Sequence, residues 1–373
     1  MDFSYDLKYH YRPKKGWMND PNGLVFFGGY YHAFYQHSPH SERPWNQPMV
    51  WGHARTKDFL HWEELPVALW PDQPYDCGGC WSGTALVHDG MLYLFYASVV
   101  KEGERFRQSV SMAFSRDGLR FEKSSANPII PSYPEDGCPD FRDPAILRDG
   151  DTFYLVIASA NHAANAARLL LYQSKSLTEW SYSGVLYEWR GGQGPDAVNM
   201  EFCECPSFLP YGDRYLLTAS VCEENRRYFT AMYGAFDGKV FTPEVSGSIH
   251  LGPDQYAGQV FLDDRGRHIM LTWVPGWSYS DFAERSLGCL SLPIDLIVRS
   301  GRLCGVPLEE VRHLLQPQNP HVRLTQDGFV IARKQRENVV FKGAFHELTM
   351  LQDEYLLEVF INGGEQILCC VLC

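Results

Sequence analysis

Hydrophobic residues in the chain are grouped into short runs rich in β-branched and aromatic residues, and each run adjoins a Gly/Asp turn. Turn residues between two such runs are typical of β-hairpins. Five segments share this pattern: FFGGYYHAFYQ (26–36), VHDGMLYLFYAS (87–98), LRDGDTFYLVIAS (147–159), PYGDRYLLTAS (210–220) and LDDRGRHIMLTW (262–273). Their turn glycines follow one another at steps of 61, 60, 62 and 54 residues and are Gly29, Gly90, Gly150, Gly212 and Gly266. The chain therefore repeats one β-rich unit.

A second β-rich element follows the first three hairpins, in HARTKDFLHWEEL (53–65), MAFSRDGLRFEKS (112–124) and YQSKSLTEWSYSG (172–184). Each consists of a polar turn, an aromatic residue and a strand-like end, so that one unit holds about four strands. Repeated four-stranded units without intervening helices predict an all-β fold, and here a five-bladed β-propeller. A β-sandwich is the competing all-β fold, but it would not produce five nearly equal steps.

The repeat ends near residue 300, and the rest of the chain has a different pattern. We expect a five-bladed propeller over residues 1–304, a linking helix over 305–317 and a truncated β-sandwich-like module over 318–373. Pro307 is placed as the first helical residue, and the last strands form a hairpin around Asn362-Gly363-Gly364. About 55 residues are few for an independent β domain. This module should therefore pack on the propeller or on a second copy of the chain in a homodimer.

Composition narrows the range of partners and locations. The net charge of -12 disfavours nucleic acid, and the chain has no run of 18 apolar residues that would span a membrane. The N-terminal sequence MDFSYDLKYHYRPKK lacks the apolar region of a signal peptide, and the eleven cysteines follow no disulfide or zinc-ligand pattern. We expect a cytoplasmic protein with reduced thiols and no cofactor, while a secreted form with its signal removed is left open.

Three acidic residues occupy matching positions in the repeat. Asp20, Asp143 and Glu204 lie 9, 7 and 8 residues before a turn glycine, at the start of the strand that would be nearest a propeller axis. Each stands before proline directly or after one residue, and proline favours an extended conformation in the residue before it. A single Asp before Pro usually marks a turn. Three in register with the repeat predict a shared acidic site at one mouth of the channel.

The residues around these carboxylates favour a sugar over a metal as the ligand. Oxygen ligands suit calcium or magnesium, but aromatic, amide, hydroxyl and guanidinium side chains surround the carboxylates, and two carboxylates flanking a glycosidic bond are typical of its hydrolysis. We therefore predict no metal. Crowded carboxylates raise one another's pKa, which would keep one of them protonated as an acid. The neighbouring residues are Trp17, Asn19, Gln36, Trp45, Trp51, Trp81, Ser82, Arg142, Trp273 and Trp277.

In their order and spacing, WMNDPNG (17–23), FRDP (141–144) and ECP (204–206) resemble glycoside hydrolase family 32. That family includes invertases, fructan hydrolases and sucrose-6-phosphate hydrolases. The resemblance covers roughly residues 9 to 315 and extends through FYQ (34–36), WGHA (51–54), WSGTA (81–85) and DQYAGQVF (254–261), which contains Tyr256. It implies a five-bladed propeller and retaining hydrolysis of terminal β-D-fructofuranosyl residues in sucrose and fructo-oligosaccharides.

The resemblance also implies roles for individual residues. Asp20 would be the nucleophile, Glu204 the acid/base, and Asp143 beside Arg142 the stabiliser of the transition state. The nearest rivals to Glu204 are Glu201 and Glu223, but neither has the ECP context. The resemblance implies that the fructose subsite is lined by Asn19, Gln36, Trp45, Trp81 and Ser82. We also predict substrate contacts for Trp17, Trp51, Arg142, Tyr256 and Trp273.

Four other functions compete with this hypothesis. A fructosyltransferase would use the same mechanism with a sugar as acceptor. A sucrose-6-phosphate hydrolase would need a cationic pocket, for which Arg12, Lys14 and Lys15 are candidates. A non-catalytic fructan-binding propeller would be expected to have lost one of the three carboxylates. A sialidase is suggested only by SRDGLRF (115–121), and it would require an arginine cluster and a tyrosine nucleophile, neither of which the sequence shows.

Overall fold

Five consecutive stretches of the chain each fold into an antiparallel sheet whose main strands follow one another in chain order. A computed structural model describes residues 6–43, 47–191, 198–224, 226–250, 252–279, 288–334 and 336–372. The first sheet contains β1 (Trp17–Phe27), β2 (Tyr30–Ser38), β3 (Val50–Thr56) and β4 (Trp62–Leu69). The second contains β5 (Gly79–His88), β6 (Met91–Glu102), β7 (Arg105–Ser115) and β8 (Glu122–Lys123).

The next three sheets repeat this arrangement. The third contains β9 (Phe141–Asp149), β10 (Thr152–Asn161), β11 (Ala166–Ser174) and β12 (Ser181–Arg190). The fourth contains β13 (Met200–Tyr211), β14 (Arg214–Glu223), β15 (Arg226–Phe236) and β16 (Phe241–Gly247). The fifth contains β17 (Tyr256–Leu262), β18 (His268–Val274), β20 (Ile294–Arg299) and β21 (Arg302–Pro307), and the short β19 (Cys289–Leu290) also pairs with β18.

The five turns predicted from the glycine repeat are confirmed, because each lies between the first and second strands of its sheet. All five glycines have positive φ, from 56° at Gly150 to 79° at Gly29, which a residue without Cβ adopts at little cost. The first strands contact one another in a closed series: β1 with β5, β5 with β9, β9 with β13, β13 with β17, and β17 with β1. Apolar side chains such as Leu147 and Phe208 pack between neighbouring sheets.

Each first strand contains a bulge near its start, where two residues lie opposite one residue of the second strand or one extra residue is inserted. A bulge interrupts the ladder and re-aims the side chains beside it. The bulged residues are Asn19-Asp20, Ser82, Asp143-Pro144, Cys205-Pro206 and Ala257-Gly258. Most of the candidate site residues therefore lie within or beside these five irregularities.

The linking helix is shorter than the predicted 305–317. The helix α1 runs only over Glu309–Arg312, and its N-cap is Leu308. The placement of Pro307 as the first helical residue is wrong, because Pro307 ends β21 and pairs with Ile294. Leu308 and Val311 are nonetheless buried. No helix in the described part of the chain is long and apolar enough to cross a membrane.

The C-terminal residues form two three-stranded sheets. One contains β22 (Val322–Thr325), β23 (Gly328–Ile331) and β24 (Val339–Lys342), and the other contains β25 (Leu348–Asp353), β26 (Leu356–Ile361) and β27 (Gln366–Val371). The two sheets share one apolar cluster that includes Phe329 and Val359. The predicted hairpin around Asn362-Gly363-Gly364 is confirmed between β26 and β27.

These C-terminal sheets pack against the preceding part of the same chain. The amide of Ile367 on β27 donates to the carbonyl of Ile249 at 2.7 Å, and the amide of Gly305 donates to the carbonyl of Gly364 at 2.8 Å. The N-terminal segment joins the contact, because the buried His10 ring lies 2.8 Å from Asp353 and 3.0 Å from Glu358. The C-terminal module therefore packs on the rest of its own chain, which is one of the two packing surfaces predicted for it.

Candidate active site

The starts of β1, β9 and β13 bring Asp20, Asp143 and Glu204 to one cavity of about 280 Å³. The three carboxylates are separated by 123 and 61 residues in sequence, and their meeting depends on the contacts among the first strands. The other lining residues are Asn19, Gln36, Trp81, Ser82, Gln108, Asp140, Arg142 and Trp277. The predicted clustering of the three carboxylates is thus present in the structure.

Asp20 is held by two donors at one oxygen. The Ser82 hydroxyl donates to Asp20 Oδ2 at 3.1 Å, and the Cys205 thiol lies 3.5 Å from the same atom. Asp20 Oδ1 is buried and has no hydrogen-bond partner among the described residues. Burial and the charge of Glu204 raise the pKa of Asp20 to about 6, although Asn19, Ser82 and Cys205 oppose the shift. One oxygen of Asp20 is therefore held by two donors, and the other is enclosed by the protein.

Asp143 occupies a strained backbone position. Proline was expected to keep Asp143 extended, but its φ is 55°, and Cys205 before Pro206 has a φ of 49°. This expectation is wrong because the bulge places both residues in the left-handed region, which costs about 1–3 kcal/mol for a residue with a side chain. The Cys205 amide donates to Asp143 Oδ2 at 2.9 Å. Burial and the charge of Glu204 raise the pKa of Asp143, while Arg142 opposes them.

Glu204 is bound at both of its oxygens. Arg142 Nε and one terminal nitrogen each donate to Glu204 Oε1 at 3.1 Å, and the Tyr256 hydroxyl donates to Glu204 Oε2 at 2.5 Å. The guanidinium is itself fixed by Asp140 at 2.7 Å. Burial opposes the charge of Arg142, but the surrounding carboxylates outweigh it and raise the pKa of the guanidinium. The side chain of Glu204 is therefore held in one orientation at the cavity wall, with 21% of it exposed.

Three of the predicted substrate-binding tryptophans do not line the cavity. Trp51 and Trp273 are fully buried, so their prediction as sugar contacts is corrected. Trp51 packs on Phe34 and donates to the Trp81 carbonyl at 3.0 Å. Trp17 is 3% exposed, and it donates to Asn19 Oδ1 at 2.7 Å from behind the site. Trp45 lies outside the described residues.

The other predicted residues are placed in or directly behind the cavity. Asn19, Gln36, Trp81, Ser82 and Arg142 line it. Gln36 also donates to the Cys80 carbonyl at 3.0 Å, which ties β2 to the start of β5. Tyr256 is almost fully buried and reaches the site through Glu204.

Two lining residues were missed by the sequence reasoning. Asp140 stands two residues before Arg142, and the period-two alternation of a strand could have placed both on one side. Gln108 on β7 accepts the Phe141 amide at 3.0 Å and carries no motif that would identify it. Trp277 was noted among the neighbouring tryptophans, and it does line the cavity.

One group of possible metal ligands lies at the edge of this site. Cys138, Asp140 and His162 offer ligand atoms within 4.8 Å of one another, and it is the only such group among the described residues. Asp140 is already engaged by Arg142 and lies 3.1 Å from His162 Nε2. Asp20, Asp143 and Glu204 form no such group, and the prediction of no metal stays a prediction.

An all-β fold with paired carboxylates in a cavity walled by tryptophan, amide and hydroxyl groups has the features of a glycoside hydrolase. Residues 10–307 match the model of the glycosyl hydrolases family 32 N-terminal domain. The chain therefore belongs to glycosyl hydrolase family 32.

Named relatives agree with this assignment. Raffinose invertase of Escherichia coli is 37% identical over 337 residues, which are 85% of this chain and 68% of that protein. A sucrose-6-phosphate hydrolase of Escherichia coli is 36% identical over 83% of this chain and 65% of that protein. The chain thus spans about two thirds of the length of these relatives. A solved beta-fructofuranosidase from Bombyx mori superposes with a TM-score of 0.81 at 25% identity, over 99% of this chain and 89% of that one.

Proposed function

We propose that the chain is a retaining β-fructofuranosidase that releases terminal β-D-fructofuranosyl residues from sucrose and short fructo-oligosaccharides. The observation that carries the proposal is the pairing of two differently held carboxylates on one cavity. Asp20 has an unpartnered buried oxygen, and Glu204 is fixed at both oxygens. The invertase and sucrose-6-phosphate hydrolase relatives support the same activity.

In the proposed first step, Asp20 attacks the anomeric carbon of fructose and the glycosidic bond breaks. The departing oxygen takes a proton from Glu204, so that the sugar beyond fructose leaves as an alcohol. In the second step Glu204 removes a proton from water, and the resulting oxygen displaces Asp20. Water delivered to the same face retains the configuration at the anomeric carbon.

Asp143 and Arg142 would act on the fructose ring rather than on the bond itself. Asp143 would accept hydrogen bonds from sugar hydroxyls, and its charge would stabilise the positive charge that develops in the transition state. Arg142 would orient Glu204, because it donates twice to Glu204 Oε1 and is anchored by Asp140. Asn19, Gln36, Trp81 and Ser82 would complete the fructose subsite.

We propose that the five sheets are the blades of one propeller. The closed series of contacts among the first strands supports this arrangement, because blades around an axis must close. The division into a propeller over 1–304, a linking segment over 305–317 and a shortened β module over 318–373 is proposed with it.

The proposed location is the cytoplasm. The ten described cysteines are all free, which supports a reducing cytoplasmic location.

The proposed quaternary structure is a homodimer formed through the C-terminal module. Leu324 and Val340, on the β22–β24 sheet, expose 64% and 56% of their surface. Exposed apolar side chains at a sheet edge favour association. Light scattering at micromolar concentration should give twice the mass of the chain, and a monomer mass would contradict this arrangement.

Product analysis tests the proposed activity. The protein should be incubated with sucrose, 1-kestose, inulin, levan and sucrose-6-phosphate, and the products should be followed over time. Fructose or a fructose transfer product from at least one substrate is expected. Transfer products in place of free fructose would favour the fructosyltransferase. Absence of both from all five substrates would favour a fructan-binding protein without catalysis.

Substitution of the two carboxylates tests their roles. Asp20→Asn and Glu204→Gln should each lower kcat by about 10²- to 10⁴-fold while circular dichroism stays unchanged. The matched control is Glu201→Gln on the same strand, since Glu201 does not line the cavity and accepts the Cys222 thiol at 3.1 Å. Near wild-type turnover in Asp20→Asn, or a large loss in Glu201→Gln, would contradict the assigned roles.

A further inference from the structure

A cysteine, an aspartate and a histidine of the third sheet meet at the edge of the candidate active site. Cys138 and Asp140 stand two residues apart in the segment that leads into β9, and His162 follows the end of β10. The pairing of Phe141 with Ser159 brings the start of β9 beside the end of β10. Two neighbouring strand ends therefore assemble this group from residues that are about 20 positions apart in sequence.

The spacing of two ligand atoms already suits a tetrahedral metal ion. His162 Nε2 lies 3.1 Å from Asp140 Oδ2. A tetrahedral zinc ion that binds a nitrogen and an oxygen at about 2.0–2.2 Å holds them about 3.4 Å apart. Cys138 Sγ would stand about 3.6 Å from each of them, so it must approach by at most about 1.2 Å. A change in the side-chain torsion of Cys138 supplies this movement, because the thiol makes only long contacts of 3.8 Å to the Asp140 carbonyl and to the Ser159 hydroxyl.

The three donor groups favour zinc over magnesium or calcium. Magnesium and calcium take oxygen ligands, whereas thiolate and imidazole groups suit zinc. Three protein ligands leave one of the four tetrahedral positions for water. An ion can reach the group from solvent, because 60% of the His162 side chain and 29% of the Asp140 side chain are exposed.

Asp140 connects this group to the proposed acid/base. Its second oxygen, Oδ1, accepts Arg142 at 2.7 Å, and Arg142 donates to Glu204 Oε1 at 3.1 Å. Asp140 also lines the cavity. An ion on Oδ2 would offset the negative charge that anchors Arg142 and would add positive charge at the cavity wall. The positive charge that develops on fructose in the transition state would then be less well stabilised.

We propose that Cys138, Asp140 and His162 bind one Zn²⁺ ion and that this ion inhibits the glycosidase. The inhibition rests on the proposed function, whereas the zinc site does not. Binding releases the thiol proton to the solvent, and the imidazole binds in its neutral form through Nε2 with its proton on Nδ1. The ion is an inhibitor and not a cofactor, so hydrolysis is still predicted to need no metal.

Calorimetric titration of the metal-free protein with zinc chloride tests the site. The wild type should bind one equivalent more than Cys138→Ala or His162→Ala. Cys77→Ala and His61→Ala are the controls, because they remove an exposed thiol and an exposed imidazole elsewhere and should keep that equivalent. Cobalt in place of zinc should give a thiolate-to-metal charge-transfer band that Cys138→Ala lacks. Equal zinc binding by the wild type, Cys138→Ala and His162→Ala would overturn the site.

Sucrose hydrolysis with and without zinc tests the inhibition. Saturating zinc should lower the wild-type kcat about 10-fold, and magnesium at the same concentration should leave it unchanged. Cys138→Ala should keep the metal-free kcat and lose the effect of zinc. Zinc binding without a fall in kcat, or an equal fall in Cys138→Ala, would overturn the inhibition. Absence of fructose without zinc would instead contradict the proposed function, and the calorimetric titration would still decide the zinc site.

Discussion

At the scale of single residues, the site places the proposed nucleophile Asp20 in a desolvated environment. The pKa of Asp20 is raised to about 6 by burial and by Glu204, and the carboxylate is the form that would attack. In the free enzyme, kcat/KM should therefore fall as the pH is lowered through about 6. Ser82→Ala removes a hydrogen bond that favours the carboxylate, so the acidic limb of the pH profile should move to higher pH. An acidic limb unmoved by Ser82→Ala would contradict this role of Ser82.

The same raised pKa predicts that the ionised carboxylate of Asp20 destabilises the fold. When a carboxyl group has a higher pKa in the folded protein than in the unfolded chain, the free energy of unfolding falls as the pH rises from the unfolded pKa to the folded pKa. The shift of Asp20 from 3.8 to about 6 corresponds to a loss of up to about 3 kcal/mol at pH 7. Asp20→Asn should therefore raise the melting temperature at pH 7 and should not raise it at pH 4. A lowered melting temperature at pH 7 would contradict the buried charge.

At the scale of elements, the bulges determine which side chains of the first strands reach the cavity. They lie in the first strands and contain or adjoin Asp20, Ser82, Asp143 and Glu204. A regular strand would alternate side chains between its faces, whereas a bulge lets consecutive residues such as Trp81 and Ser82 both reach the cavity.

Gly83 tests this dependence on the bulge. A Cβ at Gly83 would lie 1.9 Å from the Phe95 carbonyl oxygen and 2.8 Å from the Tyr96 Cα, so the backbone beside Ser82 must move. Gly83→Ala should lower the free energy of unfolding by about 3 kcal/mol or more and reduce kcat/KM. Gly247→Ala is the control, because a Cβ there meets no atom within 4 Å. Denaturant titration measures the free energy of unfolding, and activity assays measure kcat/KM. A Gly83→Ala protein with both quantities unchanged would contradict a rigid bulge.

The sequence predicted these elements unevenly, for physical reasons. The turn glycines are local signals, because only a residue without Cβ adopts positive φ freely, and all five turns were located. The bulges depend on pairing between strands, so the positive φ of Asp143 and Cys205 contradicts what the following prolines predict locally. The burial of Trp51 and Trp273 likewise depends on packing between sheets. A tryptophan in a core and one in a sugar site are alike in sequence.

At the scale of the whole molecule, the two ends of the chain meet at one buried ion network. Asp353 accepts the amides of Lys8, Tyr9 and His10, and Glu358 accepts the Leu292 amide at 2.8 Å. Burial alone would lower the pKa of His10, but the hydrogen bonds and charges of Asp353 and Glu358 outweigh it and raise the pKa to about 9. A charged imidazole therefore joins the N-terminal segment to the C-terminal module.

The network should make the attachment of the C-terminal module dependent on pH. Because the folded pKa of His10 lies above its usual value of 6.5, its contribution is fully present below pH 6.5 and is lost as the pH rises through about 9. His10→Ala leaves two buried carboxylates without their cation, which should cost about 3–5 kcal/mol near pH 6 and less above pH 9. His61→Ala, which removes an exposed partner of Asp58, should change stability by less than about 0.5 kcal/mol. Thermal unfolding from pH 6 to 10 measures both, and a His10→Ala deficit that grows with pH would contradict a protonated His10.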